Sequence, residues 1–159
     1  MFDTIFGLPV HSLVVHGVVV IIPLAAAGLI VLALRPAWRR AYLPLVVALS
    51  TIGLVMVPVA TQSGKALRER VNAGGVVAKQ INDHVQAGGR VLIPTLLMWA
   101  LSVALLVLTR RRRTGRPVTI VAGLGAVAAL LALAAVAIAG HLGSTAVWGC
   151  VVGGSACPQ

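Results

Sequence analysis

Four long apolar segments, separated by short charged stretches, constrain this chain more than any other feature of its sequence. They cover residues 8–34, 41–60, 91–108 and 118–140, and the first contains no charged side chain. A helix needs roughly 20 apolar residues to cross the hydrocarbon core of a bilayer. We therefore predict an all-α integral membrane protein, with a four-helix bundle in residues 1–149 and a short extracytoplasmic tail in residues 150–159.

The composition supports a lipid environment. Apolar side chains make up 59% of the chain and charged ones only 10%, whereas soluble domains carry about a quarter charged residues. The net charge of +10 comes largely from arginines clustered at the ends of the apolar segments. That distribution is typical of topology signals and not of a basic face that binds nucleic acid. The lipid bilayer is the expected partner, and nucleic acid is not.

The arginines and lysines also predict the orientation. Eight arginines follow the first and third segments, whereas five basic residues lie between the second and third segments. Loops rich in basic residues stay in the cytoplasm. Both termini are therefore expected outside the cytoplasm, together with all three carboxylates of the chain.

The long outer connection, residues 61–90, is predicted to be helical. Ser63 is placed to cap a short helix over 65–71. Apolar residues then recur at four-residue spacing, as one face of a second short helix requires; they are Val77, Ile81 and Val85. We expect this connection to lie on the bundle as an amphipathic lid between the second and third membrane helices. His84 would face the bundle from its apolar side.

The tail contains both cysteines of the chain, Cys150 and Cys157. The predicted topology places them outside the cytoplasm, where disulfides persist. We predict a disulfide that closes a small loop. Two free thiols are the alternative, because two cysteines alone have no diagnostic spacing.

Four histidines, all predicted in the outer half of the membrane, are the candidates for chemistry: His11, His16, His84 and His141. Ionisable groups inside a bilayer commonly mark functional sites. His16 follows His11 by five residues and so lies about 7.5 Å deeper in a helix. If the fourth helix continues to Trp148 at the membrane interface, His141 lies at a similar depth, roughly 10 Å below that interface. We predict a deeper pair of His16 and His141 and an upper pair of His11 and His84.

Haem b is the cofactor that this set favours, with His16 and His141 as its axial ligands and a second centre at His11 and His84. Imidazole is a common axial ligand of haem iron, and a helix bundle can supply two of them from different helices. Three cationic side chains are candidates to contact the haem propionates or another anion: Lys65, Arg68 and Arg90. Zinc or copper bound by the four histidines is an alternative. Histidines that serve only in hydrogen bonds between helices are another.

Four stretches of the sequence carry a family resemblance: GLPVHSLVVH at 7–16, ATQSGKALRERV at 60–71, DHVQAG at 83–88 and GHLGSTAVWG at 140–149. In these, the chain resembles a bacterial membrane family catalogued as domain-of-unknown-function family twenty-two thirty-one. The resemblance covers nearly the whole chain and implies a four-helix protein of the bacterial plasma membrane with these four histidines in the same order. It suggests a haem or redox role.

Together these observations predict a membrane-embedded haem- or metal-binding protein, either a redox protein or an accessory subunit. Enzyme activity of the chain alone is not expected, because no serine has an assigned histidine and carboxylate partner. A structural accessory subunit of a larger respiratory-type membrane complex, without a cofactor, is the alternative. A smooth strip on the fourth helix motivates it, formed by Ala122, Gly125, Ala126 and Ala129. A transporter is disfavoured, because we detect no repeat of broken helices and no membrane-buried acid.

Overall fold

The computed structural model describes residues 4–5, 7–71 and 75–153. A small antiparallel hairpin of β1 (Thr4–Ile5) and β2 (Leu8–Pro9) precedes the helices. The helices of the described part are α1 (Val10–Leu34), α2 (Arg39–Arg70), α3 (Gly75–Arg90), α4 (Leu92–Arg110) and α5 (Arg116–Gly153). A 3-10 turn, Pro36–Trp38, joins α1 to α2.

Four stretches of helix are long and apolar enough to cross a membrane. They are α1, the turn with α2, the consecutive helices α3 and α4, and α5. Only Val91 separates α3 from α4, so these two helices form one crossing. The prediction of an all-α membrane four-helix bundle is confirmed, and the protein is a multi-pass membrane protein.

The helices form a square in which α1 and α4 occupy opposite corners. Each of these two helices packs against both α2 and α5. Large side chains that are fully buried fill the space between them: Ile22, Leu29, Leu43, Met98 and Leu105. Ser50 on α2 and Ser102 on α4 are also fully buried and share a hydrogen bond, with 3.3 Å between their Oγ atoms.

The smooth strip on α5 lies inside the bundle. Ala122, Gly125 and Ala129 are buried, and a Cβ atom added to Gly125 would lie 3.4 Å from the side chain of Leu29 and 3.7 Å from that of Leu101. Small residues allow helices to approach closely in a membrane. The strip is therefore used for packing of α5 within the chain.

The lid is not confirmed. Helix α2 continues without a break to Arg70, so the predicted separate helix at 65–71 is its last turns. Ser63 is an interior residue of α2 and not an N-cap, because its hydroxyl donates to the carbonyl oxygens of Val59 and Ala60 at 2.8 and 3.1 Å. A serine that bonds one turn back is compatible with a continuous helix. The second predicted helix exists as α3, but it packs mainly along α5 and extends α4.

The two ends of the bundle differ chemically. The end where α1 begins carries His11, and α3 brings His84 to the same end; we call it the histidine end. The opposite end carries the arginines that follow α1 and α4, and we call it the arginine end. There the buried Arg39 donates from Nε to Leu32 O at 2.8 Å and from Nη2 to Ala33 O at 2.9 Å. These bonds satisfy carbonyls that the end of α1 leaves without helical partners.

Candidate histidine site

His11 is fixed by a hydrogen bond to the neighbouring helix. It lies in the first turn of α1, and its Nδ1 is 3.0 Å from the carbonyl oxygen of Ala60 on α2. A carbonyl oxygen only accepts hydrogen bonds, so Nδ1 must carry the hydrogen. In the neutral imidazole, Nε2 then keeps a free lone pair, which is the form that binds metals.

His84 makes the same kind of contact from the other side of the site. Its Nδ1 is 2.9 Å from the carbonyl oxygen of Ala139 on α5. The same reasoning assigns the hydrogen to Nδ1 and leaves Nε2 available as a ligand. Metal-binding histidines commonly donate a hydrogen bond in this way, from the ring nitrogen that does not bind the metal to a backbone carbonyl.

Both imidazoles lie directly over glycines. A Cβ atom added to Gly64 on α2 would lie 2.8 Å from Cε1 of His11, and one added to Gly143 on α5 would lie 2.9 Å from Cε1 of His84. Both distances are shorter than Cβ contacts tolerate. Each ring therefore occupies space that a larger residue would take.

The two rings are in contact at the histidine end. Their centroids are 6.0 Å apart and their planes meet at 73°, an edge-to-face arrangement. One metal ion bound by two imidazole nitrogens at about 2 Å each separates the ring centroids by roughly 5 to 6 Å. The separation of His11 and His84 is compatible with one shared metal centre.

A groove lies between α2 and α3. It is lined by Lys65, Arg68 and Glu69 of α2 and by Val85 of α3. Lys65 follows Gly64 and Val85 follows His84 in the sequence, but neither histidine ring is among the lining residues. Two of the three predicted anion contacts, Lys65 and Arg68, line this groove. The third, Arg90, is exposed at the end of α3 and does not line this groove.

The other two histidines lie on the outside of the bundle. His16 is exposed and bonds through Nδ1 to the carbonyl oxygen of Ser12 in its own helix. His141 is exposed on α5, which continues past Gly140 and Gly143 as the predicted pairing required. Within the described residues, the histidine rings in contact are those of His11 and His84. The pairing of His16 with His141 stays a prediction.

Few other metal-binding side chains accompany the pair. In residues 4–5, 7–71 and 75–153, no group of three or more histidine, cysteine, aspartate or glutamate side chains could hold a metal ion. The histidine rings in contact in this part of the chain are those of His11 and His84. The predicted disulfide involves Cys157 and the side chain of Cys150, which lie outside the described residues.

The site contains four residues that sequence reasoning did not assign to it as contacts: Ala60, Gly64, Ala139 and Gly143. A signal was present, because an alanine is followed by a glycine four residues later in both α2 and α5. The spacing alone does not show which side chain packs against these helices.

Comparison with known protein families gives a match over nearly the whole chain. A family model described as "Predicted membrane protein (DUF2231)" matches residues 7–156. Searches of curated proteins and of solved structures gave no match.

Proposed function

Because the chain belongs to the DUF2231 family of predicted membrane proteins, we propose a function from the residues of its own histidine end. The protein binds a haem or metal centre there, with Nε2 of His11 and Nε2 of His84 as ligands. The observation that carries the proposal is the ring pair itself, with centroids 6.0 Å apart. Both Nδ1 atoms donate hydrogen bonds to backbone carbonyls. The lone pairs of both Nε2 atoms therefore remain available to bind a metal.

The number of ligands favours haem b over zinc. Structural zinc sites take about four protein ligands and catalytic ones about three. Haem iron takes two axial ligands, because the porphyrin supplies the other four nitrogens. The two imidazoles of His11 and His84 match that requirement. A copper or zinc ion bound by the histidines is the alternative to haem. A second centre at His16 and His141 remains part of the proposal.

Two cationic side chains of α2 are candidates to bind an anionic cofactor. Lys65 and Arg68 line the groove between α2 and α3, together with Glu69, and are proposed to contact the haem propionates, with Arg90 as a further candidate. Haem supplies one-electron redox chemistry when bound. We propose that the protein serves in electron transfer as a redox or accessory subunit in its membrane, with other membrane proteins as electron donor and acceptor.

Absorption spectra of the protein purified in detergent test this function. Reduced-minus-oxidised spectra should show a Soret band, and His11→Ala and His84→Ala should each remove the contribution of the centre that these two residues share, because one imidazole leaves the iron without its second protein ligand. Metal analysis of the same samples separates the alternatives. Bound zinc or copper without a Soret band would replace haem with a metal ion. Neither haem nor stoichiometric metal in the wild-type protein would refute the proposal.

A further inference from the structure

The contacts of His11 and His84 repeat each other in the two halves of the bundle. In the first half, His11 bonds to Ala60 O and packs over Gly64. In the second half, His84 bonds to Ala139 O and packs over Gly143. In both cases the glycine follows the alanine by four residues in the partner helix. The hydrogen-bond lengths, 3.0 and 2.9 Å, agree closely.

The position of the glycine explains how an imidazole reaches a helical carbonyl. Side chains on a helix lean toward its N-terminus, so the residue four positions later covers the surface around a given carbonyl. At Gly64 and Gly143 no side chain is present to cover it. The carbonyl oxygens of Ala60 and Ala139 can therefore accept a hydrogen bond from outside the helix. Ala60 O also accepts one from Ser63 Oγ at 3.1 Å, whereas the equivalent position in α5 is Leu142.

The arrangement of the helices repeats as well. Helices α1 and α4 lie at opposite corners, and each contacts both α2 and α5. Both run from the histidine end to the arginine end, and α3 extends α4 at the histidine end. Exchange of α1 with α3–α4 and of α2 with α5 thus reproduces the pattern of packing. This corresponds to an internal two-fold axis that runs along the bundle.

We infer that Gly64 and Gly143, together with the carbonyls of Ala60 and Ala139, form two equivalent histidine cradles related by this internal two-fold axis. Each cradle holds its imidazole with the hydrogen on Nδ1 and presents Nε2 toward the axis. The ligand of the proposed site is then one that offers two equivalent coordination positions, such as a haem iron or a single metal ion. Gly64 and Gly143 act as positioning residues. The ligand part of this inference rests on the proposed function, but the tautomer part does not.

NMR spectra of the histidine rings in Gly64→Ala and Gly143→Ala test the two cradles without any ligand. In protein labelled with nitrogen-15 histidine, Gly64→Ala should shift the ring signals of His11 alone, and Gly143→Ala those of His84 alone. Gly140→Ala is the matched control on α5, because a Cβ there would meet nothing within 4 Å. Alanine is a better helix former than glycine, so these variants should still fold, which circular dichroism checks. Unchanged ring signals of His11 and His84 in both variants would overturn the cradles.

The ligand affinity of the same variants tests whether the two cradles are equivalent. Haem, or the metal ion found in the purified protein, should bind about tenfold or more weakly to Gly64→Ala and to Gly143→Ala, with similar losses, since partners that orient a ligating histidine typically contribute that much. Gly140→Ala should bind as the wild type does. A loss in only one of the two variants would refute the equivalence. Shifted ring signals in a protein that binds no ligand would support the cradles and refute the proposed function.

Discussion

The imidazole rings of His11 and His84 lie 6.0 Å apart, centroid to centroid, although the two residues belong to different halves of the bundle. Each half fixes one ring through a backbone carbonyl, Ala60 O in one and Ala139 O in the other. A ligand between the two Nε2 atoms would therefore connect the halves of the chain at the histidine end. This relationship leads to predictions for the centre, its charges and its scaffold.

The first prediction is that His11 and His84 serve one centre. His11→Ala, His84→Ala and the double variant should lose the same amount of haem or metal, because neither imidazole holds the centre alone. Cofactor per chain, measured by pyridine haemochrome or metal analysis, checks this. Half the content in each single variant and none in the double variant would indicate two separate sites.

His16→Ala and His141→Ala are the controls for that measurement. Both side chains are exposed on the outside of the bundle, so the centre of His11 and His84 should keep its cofactor in both variants. Complete loss in these two variants, with His11→Ala and His84→Ala unaffected, would instead support the deeper pair predicted from the sequence.

The second prediction concerns the cations of the groove. Lys65→Ala and Arg68→Ala should each weaken the binding of haem by a few fold at low salt, because each removes a positive charge that attracts the haem propionates. Both side chains are exposed, so about 0.15 M salt should reduce the difference. Titrations with haem at two salt concentrations measure it. Lys79→Ala is the control. It removes an exposed lysine of α3 outside the groove and should bind haem normally. A loss of haem affinity in Lys65→Ala and Arg68→Ala that does not depend on salt would contradict the electrostatic explanation.

The third prediction concerns the arginine end. Arg39→Ala should lower the free energy of unfolding by about 1–3 kcal/mol, because the carbonyls of Leu32 and Ala33 lose their charged donor. Arg39→Lys should lower the free energy of unfolding by a smaller amount, because it keeps the positive charge. Some loss should remain, because lysine cannot reproduce the two separate N–H donors of the guanidinium. Thermal or denaturant unfolding in detergent measures the effect. Arg40→Ala is the neighbouring control, because Arg40 is exposed; equal destabilisation by both alanine variants would exclude the capping role.

Much of this fold is predictable from the sequence because the bilayer imposes a length on apolar segments. The four crossings follow from that rule alone. The extension of α2 to Arg70 does not, because its last turns are charged and its polar residues are equally compatible with a separate surface helix. The close succession of α3 and α4 was missed for a related reason. Hydropathy marks where a span enters the membrane and not where its helix begins.

The sequence predicted that His11 and His84 form a pair, and their rings are in contact, but it did not predict how the side chains are oriented. Counting residues along a helix gives the depth of His16 and His141, yet it does not give the direction in which each side chain points, and both prove to be exposed. The carbonyls that orient His11 and His84 belong to Ala60 and Ala139, whose side chains carry no chemical signal. The internal repeat was overlooked because the residues shared by the two halves are small.

The fourth prediction tests the orientation of the bundle, which follows from the arginine count. In a chain whose native cysteines are replaced by serine, Val76→Cys at the histidine end should react with a membrane-impermeant maleimide in intact cells, because Val76 is 49% exposed. Arg113→Cys, exposed at the arginine end, should react only after the membrane is permeabilised. The reverse pattern would place the arginines outside and the histidine pair on the cytoplasmic side. Any electron donor or acceptor of the centre would then have to be sought on that side of the membrane.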